Sequence, residues 1–307
     1  MIKVVKYLGG WVKYGNVFAF PYRWQTPAKT ELWAYEKCLA NPHINIYEQY
    51  FCFPWAGLVD CLKHNQLIKA KFFIDALNIA PPKFAIKRIT FCQHIYALDL
   101  LPFFKNLGIT DIYWSHKIIG QDEIEGIKLH PYPLYPVMHH KRDKPFKNKP
   151  LAERKYLYSF IGSYQPDLYL TPVRKWIFDL PEREDVYIKE RKEWHFEQDV
   201  YKLQMQGIEE KKVDAILRKK YEEEYITVME DTIFCLCPSG SGPNSIRIWE
   251  AIEFGCVPVV LSDKLDLGQH GNQADIFYHI SEQERSIKEL PETITKKFIA
   301  LLSNDLP

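Results

Sequence analysis

The chain has 307 residues, 47% apolar and 26% charged, a balance that builds a buried core and excludes a disordered or fibrous protein. Lysine plus arginine number 40 against 39 for aspartate plus glutamate, so a net charge of +1 leaves no electrostatic footprint for nucleic acid. No apolar stretch approaches the ~20 residues that span a bilayer, and Met1–Leu8 reads as a short strand, not the apolar region of a secretory leader.

Aromatic residues reach 15%, enough to fill a core and to line pockets for sugars or bases. The seven cysteines are Cys38, Cys52, Cys61, Cys92, Cys235, Cys237 and Cys256, an odd count that points to reduced thiols and a cytoplasmic setting. Cys235 and Cys237 are alternate residues of an apolar run, so both face one side of a strand as small core residues and no structural zinc is expected.

In chain order, strands are expected at Ile44–Tyr47, Arg88–Cys92, Asp111–Trp114 and Gly126–Leu129, with helices at Leu58–Leu67 and Ala97–Leu107, the second stopped by Gly108. The proline-dense Pro131–Pro136 then runs into the basic stretch His139–Pro150, read as a linker. Its charge is read as solvated, with peripheral contact to an anionic membrane as the alternative. Beyond it come a strand at Tyr156–Ile161 ending at Gly162 and a helix at Pro172–Leu180. A charged surface helix follows at Glu209–Tyr225, with Asp214 and Arg218 spaced to pair, and then a strand at Thr232–Cys237. A helix at Ser245–Phe254, a strand at Val257–Leu261 with Pro258 near its start, and a helix from Pro291 to Leu302 complete the chain. Alternating strands and helices in both halves predict an α/β protein with parallel sheets.

The segment Phe234–Asp263 carries the chemistry: a strand, a small-residue loop, a helix, a glycine stop and a second strand. Gly240 and Gly242 are expected to let the backbone approach a ligand and to take positive φ. Asn244 or Ser245 is a natural N-cap, and the free N–H groups of that helix start suit a diphosphate. Arg247 in the first turn could fork onto phosphate oxygens, and Glu250, one turn on, could accept hydrogen bonds from ribose hydroxyls. Without a ligand the same spacing is an Arg–Glu surface pair beside an ordinary turn, since neither G-x-G-x-x-G nor G-K-[ST] is present.

This segment resembles the signature of the exostosin family of glycosyltransferases. The resemblance rests on Phe234–Pro238 with Gly240, on Ser245, Arg247, Glu250 and Ala251, and on Gly255–Val259, with weaker support from Tyr158–Gly162 followed by Arg174. It implies a GT-B architecture, two Rossmann-like domains facing across a cleft: an acceptor-side domain over 1–138, the linker over 139–150 and a sugar-nucleotide-binding domain over 151–307. The last helix is a candidate to pack back on the first domain. It also implies inverting transfer from a nucleotide-sugar, usually a UDP-sugar, to a hydroxyl of a glycan or lipid-linked glycan. Gly162, Arg174, Ser239, Gly240, Gly242, Asn244, Ser245, Arg247 and Glu250 would form the donor site, with Ser245 and Arg247 on the diphosphate and Glu250 on the ribose. The loop Ser239–Asn244 is more glycine-rich than the family pattern. With neither anchor nor leader read in the chain, the implied setting is a cytosolic enzyme building a bacterial or viral surface glycan.

An inverting transfer needs a base, and in open α/β folds such groups lie beyond the C-terminal ends of strands. That singles out His94 and His116, with Asp99 and Asp60 as carboxylate alternatives that read first as helix surface groups. No Asp-x-Asp occurs, so no metal and no cofactor is expected, and Arg247 with the helix dipole would have to stabilise the leaving nucleotide. The rival reading is a catalytically inactive nucleotide- or glycan-binding subunit of the same fold. A sugar-nucleotide epimerase comes third, because the dinucleotide fingerprint it requires is missing.

Overall fold

The computed structural model describes residues 5–6, 8–40, 45, 47–142, 148–192, 202–204, 206–208, 212–268 and 276–304. The chain divides into two compact units, each a parallel-rich sheet with helices. The N-terminal unit holds the described residues up to Tyr135, those among 198–208 and Asp266–Gly268; the C-terminal unit holds the rest. Among the described residues no helix is long and apolar enough to cross a membrane.

In the N-terminal unit the elements are β1 (Val5–Lys6), β2 (Val12–Tyr14), β3 (Val17–Ala19), α1 (Thr30–Ala40), β4 (Glu48–Cys52), α2 (Trp55–Lys63) and α3 (Leu67–Asn78). They continue with β5 (Lys87–Cys92), α4 (Leu101–Asn106), β6 (Asp111–Trp114), β7 (Glu123–Ile124) and β8 (Ile127–Pro131). The sheet order is β1-β2-β3-β4-β5-β6-β8-β7, parallel from β3 to β8 and antiparallel at both margins. The aromatic load fills this core. Trp11 lies 4.7 Å from Phe51, Phe53 4.6 Å from Trp55, and Trp55 4.8 Å from Phe104, centroid to centroid. Both buried indoles keep a partner: Trp11 Nε1 donates to Ala76 O at 2.8 Å and Trp55 Nε1 to Thr90 Oγ1 at 2.8 Å.

The C-terminal unit contains α5 (Val137–His140), β9 (Tyr156–Gly162), α6 (Val173–Phe178), β10 (Val186–Glu190), α7 (Lys212–Glu230) and β11 (Thr232–Pro238). It ends with α8 (Ile246–Glu253), β12 (Val257–Leu261), β13 (Tyr278–His279) and α9 (Glu284–Asn304). The sheet order β10-β9-β11-β12-β13 is parallel throughout. Its central strands are buried on both faces, as their unbroken apolar runs require. Cys235 and Cys237 are both fully buried within β11, and all seven thiols are free.

Several elements depart from expectation. The expected strand Ile44–Tyr47 lies partly outside the described residues, and pairing begins at Glu48. The expected helix Leu58–Leu67 is two helices, because Asn65 takes φ 54° and turns the chain between α2 and α3. The stretch Ala97–Leu107 opens as a 3-10 turn at Ala97–Leu100, since Pro102 has no N–H to carry an α-helix through. The helix α9 begins two turns before Pro291 and buries Ile287, Leu290 and Ile294 in the core of the C-terminal unit, an apolar gain that offsets the bond the proline cannot make. The charged helix α7 is solvated only in part: Tyr225, Val228 and Met229 are buried. Described charges of the basic stretch are paired, Lys141 with Glu222 at 2.6 Å and Arg142 with Glu230 at 3.8 Å, while Lys149 pairs with Asp231.

Two glycines end helices in the same way. At Gly108 (φ 66°) and Gly255 (φ 65°) the chain enters the left-handed region, and the next residue's N–H reaches back five positions, Ile109 to Phe104 O and Cys256 to Ala251 O. A Cβ at Gly255 would lie 2.6 Å from Asn148 Oδ1, whereas at Gly120, also left-handed, it would meet nothing within 4 Å. Gly255→Ala is therefore expected to cost more than the ~1–2 kcal/mol of the backbone term alone, and Gly120→Ala about that term, as read by urea unfolding. The edge strand β10 is pinned by Glu224 of α7, which takes hydrogen bonds from Tyr187, Arg191 and, at 2.5 Å, Lys189. Partial burial opposes that charge, but the three donors outweigh it and pull the carboxyl down to about 2. Its stabilisation is complete above the ordinary value of 4.5 and is lost as pH falls toward 2, so Glu224→Gln should flatten the acid limb of a stability–pH curve.

Candidate functional site

In the C-terminal unit the ends of β9 and β11 each lead through a loop into a helix that carries an arginine as its second residue, Arg174 in α6 and Arg247 in α8. The two guanidinium groups lie over the same buried ring, Phe160, at 5.7 Å and 4.5 Å from its centroid. Arg174 donates from Nε to Ser239 O at 2.9 Å and from Nη1 to Ser163 O at 3.2 Å, and it stacks on Tyr169 at 4.3 Å. Arg247 donates to Ile161 O, and its buried Nε has no hydrogen-bond partner among the described residues. Burial lowers the Arg174 pKa to about 10, with the neighbouring Arg247 charge pushing the same way. Neither arginine forms an ion pair with a carboxylate among the described residues, so a buried cation and a half-buried one lie side by side.

The loop between β11 and α8 fits around them. The N–H of Gly240 donates to Gly242 O at 2.9 Å, and a Cβ at Gly240 would stand 3.3 Å from Arg174 Nη2. Neither Gly240 nor Gly242 adopts the expected positive φ; close approach, not backbone conformation, is what calls for a small residue at Gly240. Gly162 ends β9, and its carbonyl accepts Arg191 N–H at 2.6 Å. Ser245 is the N-cap of α8 without a side-chain capping bond. Asn244 is buried and its Oδ1 accepts the Trp249 indole at 3.0 Å.

Ser239 and Glu250 of the expected donor set are likewise engaged by the protein itself. The Ser239 hydroxyl donates to Glu282 Oε2 at 2.6 Å, and Glu282 also takes Thr171 Oγ1 at 3.1 Å and Asp263 N–H at 3.2 Å. Glu250 is not a surface partner of Arg247. It is only 3% exposed; its Oε1 accepts Met138 N–H at 2.9 Å and its Oε2 the Tyr225 hydroxyl at 2.6 Å. Burial raises its pKa despite those bonds.

In the N-terminal unit, His94 follows β5, and Asp60 is not the surface carboxylate expected but 3% exposed on the inner face of α2. Asp60 Oδ1 lies 3.1 Å from His94 Nε2. The N–H of Tyr96 donates to His94 Nδ1 at 3.1 Å, so Nδ1 carries the lone pair and Nε2 the proton of the neutral ring. Trp114 Nε1 holds the His94 carbonyl at 2.9 Å. His116 is buried nearby, and burial lowers its pKa to about 3, too weak a base to take a proton at neutral pH. Asp99 does not join this group: it is 54% exposed and pairs with Lys63 at 2.6 Å. Sequence reasoning missed Gln25, which bonds Asp60, and Gln93 and Glu31 behind it, because single polar residues outside any motif carry no pattern.

Residues 105–294 match the exostosin GT47 domain, and the chain belongs to that family. Its match to a probable glucuronosyltransferase of Oryza sativa subsp. japonica is 49% identical over 43 residues, 14% of this chain and 10% of that protein. The probable beta-1,4-xylosyltransferase IRX10 of Arabidopsis thaliana is also 49% identical over 43 residues, again 14% of this chain and 10% of the relative. The matched stretch thus spans about a tenth of the length of these curated relatives.

Removing the Glu250 carboxylate would orphan two buried donors. Glu250→Ala should lower unfolding free energy by about 1–3 kcal/mol for each, read by urea unfolding of the nucleotide-free protein.

Proposed function

We propose that this chain is an inverting, GT-B-type glycosyltransferase that moves a sugar from a UDP-sugar to a hydroxyl of a glycan in polysaccharide or glycoprotein glycan synthesis. The observation that carries the reading is the pair Arg174, buried, and Arg247, half-buried, packed over one ring and without carboxylate partners among the described residues. A diphosphate supplies the acceptor oxygens such a pair lacks, including one for the buried Arg247 Nε. The start of α8 adds free N–H groups to the same end of the sheet.

In this reading the acceptor hydroxyl oxygen attacks the anomeric carbon from the face opposite the nucleotide. The bond from that carbon to the diphosphate oxygen breaks, and the hydroxyl proton passes to His94 Nδ1. Asp60 then faces an imidazolium, whose charge it stabilises through Nε2–H. The two arginines and the helix start take up the charge of the departing nucleotide, so transfer proceeds without a divalent cation. The names of the relatives suggest UDP-glucuronic acid and UDP-xylose as the first donors to screen. The unpaired thiols fit a reducing compartment.

One observation favours the rival, a nucleotide-binding subunit without turnover: the acceptor hydroxyl must displace Tyr96 N–H from Nδ1. Calorimetry with UDP, GDP, CMP and dTDP in chelator tests the donor site. UDP should bind wild type and bind Arg247→Ala about tenfold to a hundredfold more weakly, the worth of a charge-assisted hydrogen bond; binding unaffected by the substitution, or present only with metal, contradicts the reading. His94→Ala should keep UDP binding and lose about 10²–10⁴ in turnover. A wild type that binds UDP yet turns over neither donor on any glycan acceptor would favour the subunit.

A further inference from the structure

Beyond the Asp60–His94 pair, the N-terminal unit contains a run of two amides, Gln25 half-buried and Gln93 buried, and one buried carboxyl, Glu31, that the transfer step does not use. Its polarity can be followed atom by atom. Glu31 N–H, a backbone donor, gives its hydrogen to Gln93 Oε1 at 3.1 Å, so Gln93 Nε2 must be the donating end of that amide. That nitrogen donates to Ala28 O at 2.5 Å and to Gln25 Oε1 at 2.6 Å. Gln25 therefore turns its own nitrogen to Asp60 Oδ2 at 2.5 Å. Asp60 is left with Oδ1 for His94 Nε2–H, and Tyr96 N–H occupies Nδ1. Amide ends are ordinarily interchangeable, but here a backbone donor at one end and a backbone acceptor beside it leave a single consistent orientation.

The Glu31 carboxyl anchors the run. It accepts Ala56 N–H at 3.1 and 3.2 Å and Gln93 N–H at 3.1 Å. Ala56 lies in the first turn of the helix that carries Asp60, and Gln93 precedes His94, so one side chain sets the spacing of the two partners. Burial raises the Glu31 carboxyl to about 8, opposed by those two backbone donors.

We propose that Gln25 and Gln93, anchored by Glu31, are positioning residues that hold Asp60 against His94 Nε2 and so confine the imidazole to the tautomer whose lone pair is on Nδ1. The proposal builds on the reading of His94 as the base, but its test does not depend on turnover. The full-length chain, labelled with ¹⁵N-histidine, is observed by long-range proton–nitrogen correlation at pH 7.5, with the His94 signals assigned by their loss in His94→Gln. Wild type should show His94 as a single Nε2–H tautomer. In Gln25→Leu, which removes the donor to Asp60, and in Gln25→Glu, which keeps the shape but sets an acceptor against it, that single-tautomer pattern should be lost to averaging. Gln93→Leu should act in the same direction.

An unchanged backbone amide spectrum away from α1 and α2 certifies that each variant is folded; if Gln25→Leu unfolds, the isosteric Gln25→Glu decides. A His94 already averaged in wild type, or a single tautomer that survives both Gln25 substitutions, overturns the proposal. Full turnover by His94→Ala would instead sink the base assignment and leave the tautomer result standing, so the two failures are distinguishable.

Discussion

Two positive charges share the ring of Phe160, and much of the C-terminal unit is arranged around that constraint. Burying like charges side by side is unfavourable unless each is compensated. Compensation comes from carbonyl oxygens at or just beyond strand ends, Ile161, Ser163 and Ser239, and from the faces of Phe160, Tyr169 and Tyr225. Such carbonyls collect on one edge because β9 and β11 are parallel and leave their ladder together. The crowding explains the composition of the following loop, where a side chain at Gly240 would meet Arg174. At the other end of α8, Gly255 returns the chain to β12 beside β11, packed against Asn148 and Arg154.

The N-terminal unit uses the same parallel geometry with different chemistry. At the end of β5 and the start of α2 it gathers carboxyls, amides and imidazoles, and each hydrogen bond joining Glu31, Gln93, Gln25, Asp60 and His94 has a donor facing an acceptor. A satisfied network of this kind, buried at Glu31, Gln93 and Asp60, rigidifies its members, whereas a half-satisfied one would destabilise the core. The aromatic residues pack beneath the sheet and provide the rigid floor. The paired arginines belong to the C-terminal unit, and the Asp60–His94 pair belongs to the N-terminal one.

The parallel strands β5, β6, β9, β11 and β12 were legible in the sequence as short apolar runs, and the stops at Gly108 and Gly255 as single residues, because each is decided by its own backbone and immediate neighbours. Arg247 and Arg174 were legible through a motif. The β2–β3 hairpin was overlooked although Gly15, at φ 62°, and Asn16 form its turn, since three-residue strands are too short for periodicity to register. The separation of α2 from α3 was hidden because it rests on the left-handed conformation of Asn65 inside an apolar-periodic stretch.

Burial of polar residues lay beyond the sequence altogether. Glu250 has the spacing of a surface partner for Arg247, yet it closes on Met138, 112 positions away, and on Tyr225. Asp60 has the spacing of a solvated helix residue, yet its partners come from 34 and 35 positions away. The sequence by itself determined the α/β class, most of the parallel strands, the helix stops and the identity of the arginines. Tertiary structure alone decided which carboxylates are sequestered and which imidazole nitrogen keeps its lone pair. The reason is physical: a strand or a stop is settled by local backbone terms, whereas the state of a polar side chain is settled by the distant group that the fold brings within hydrogen-bond reach.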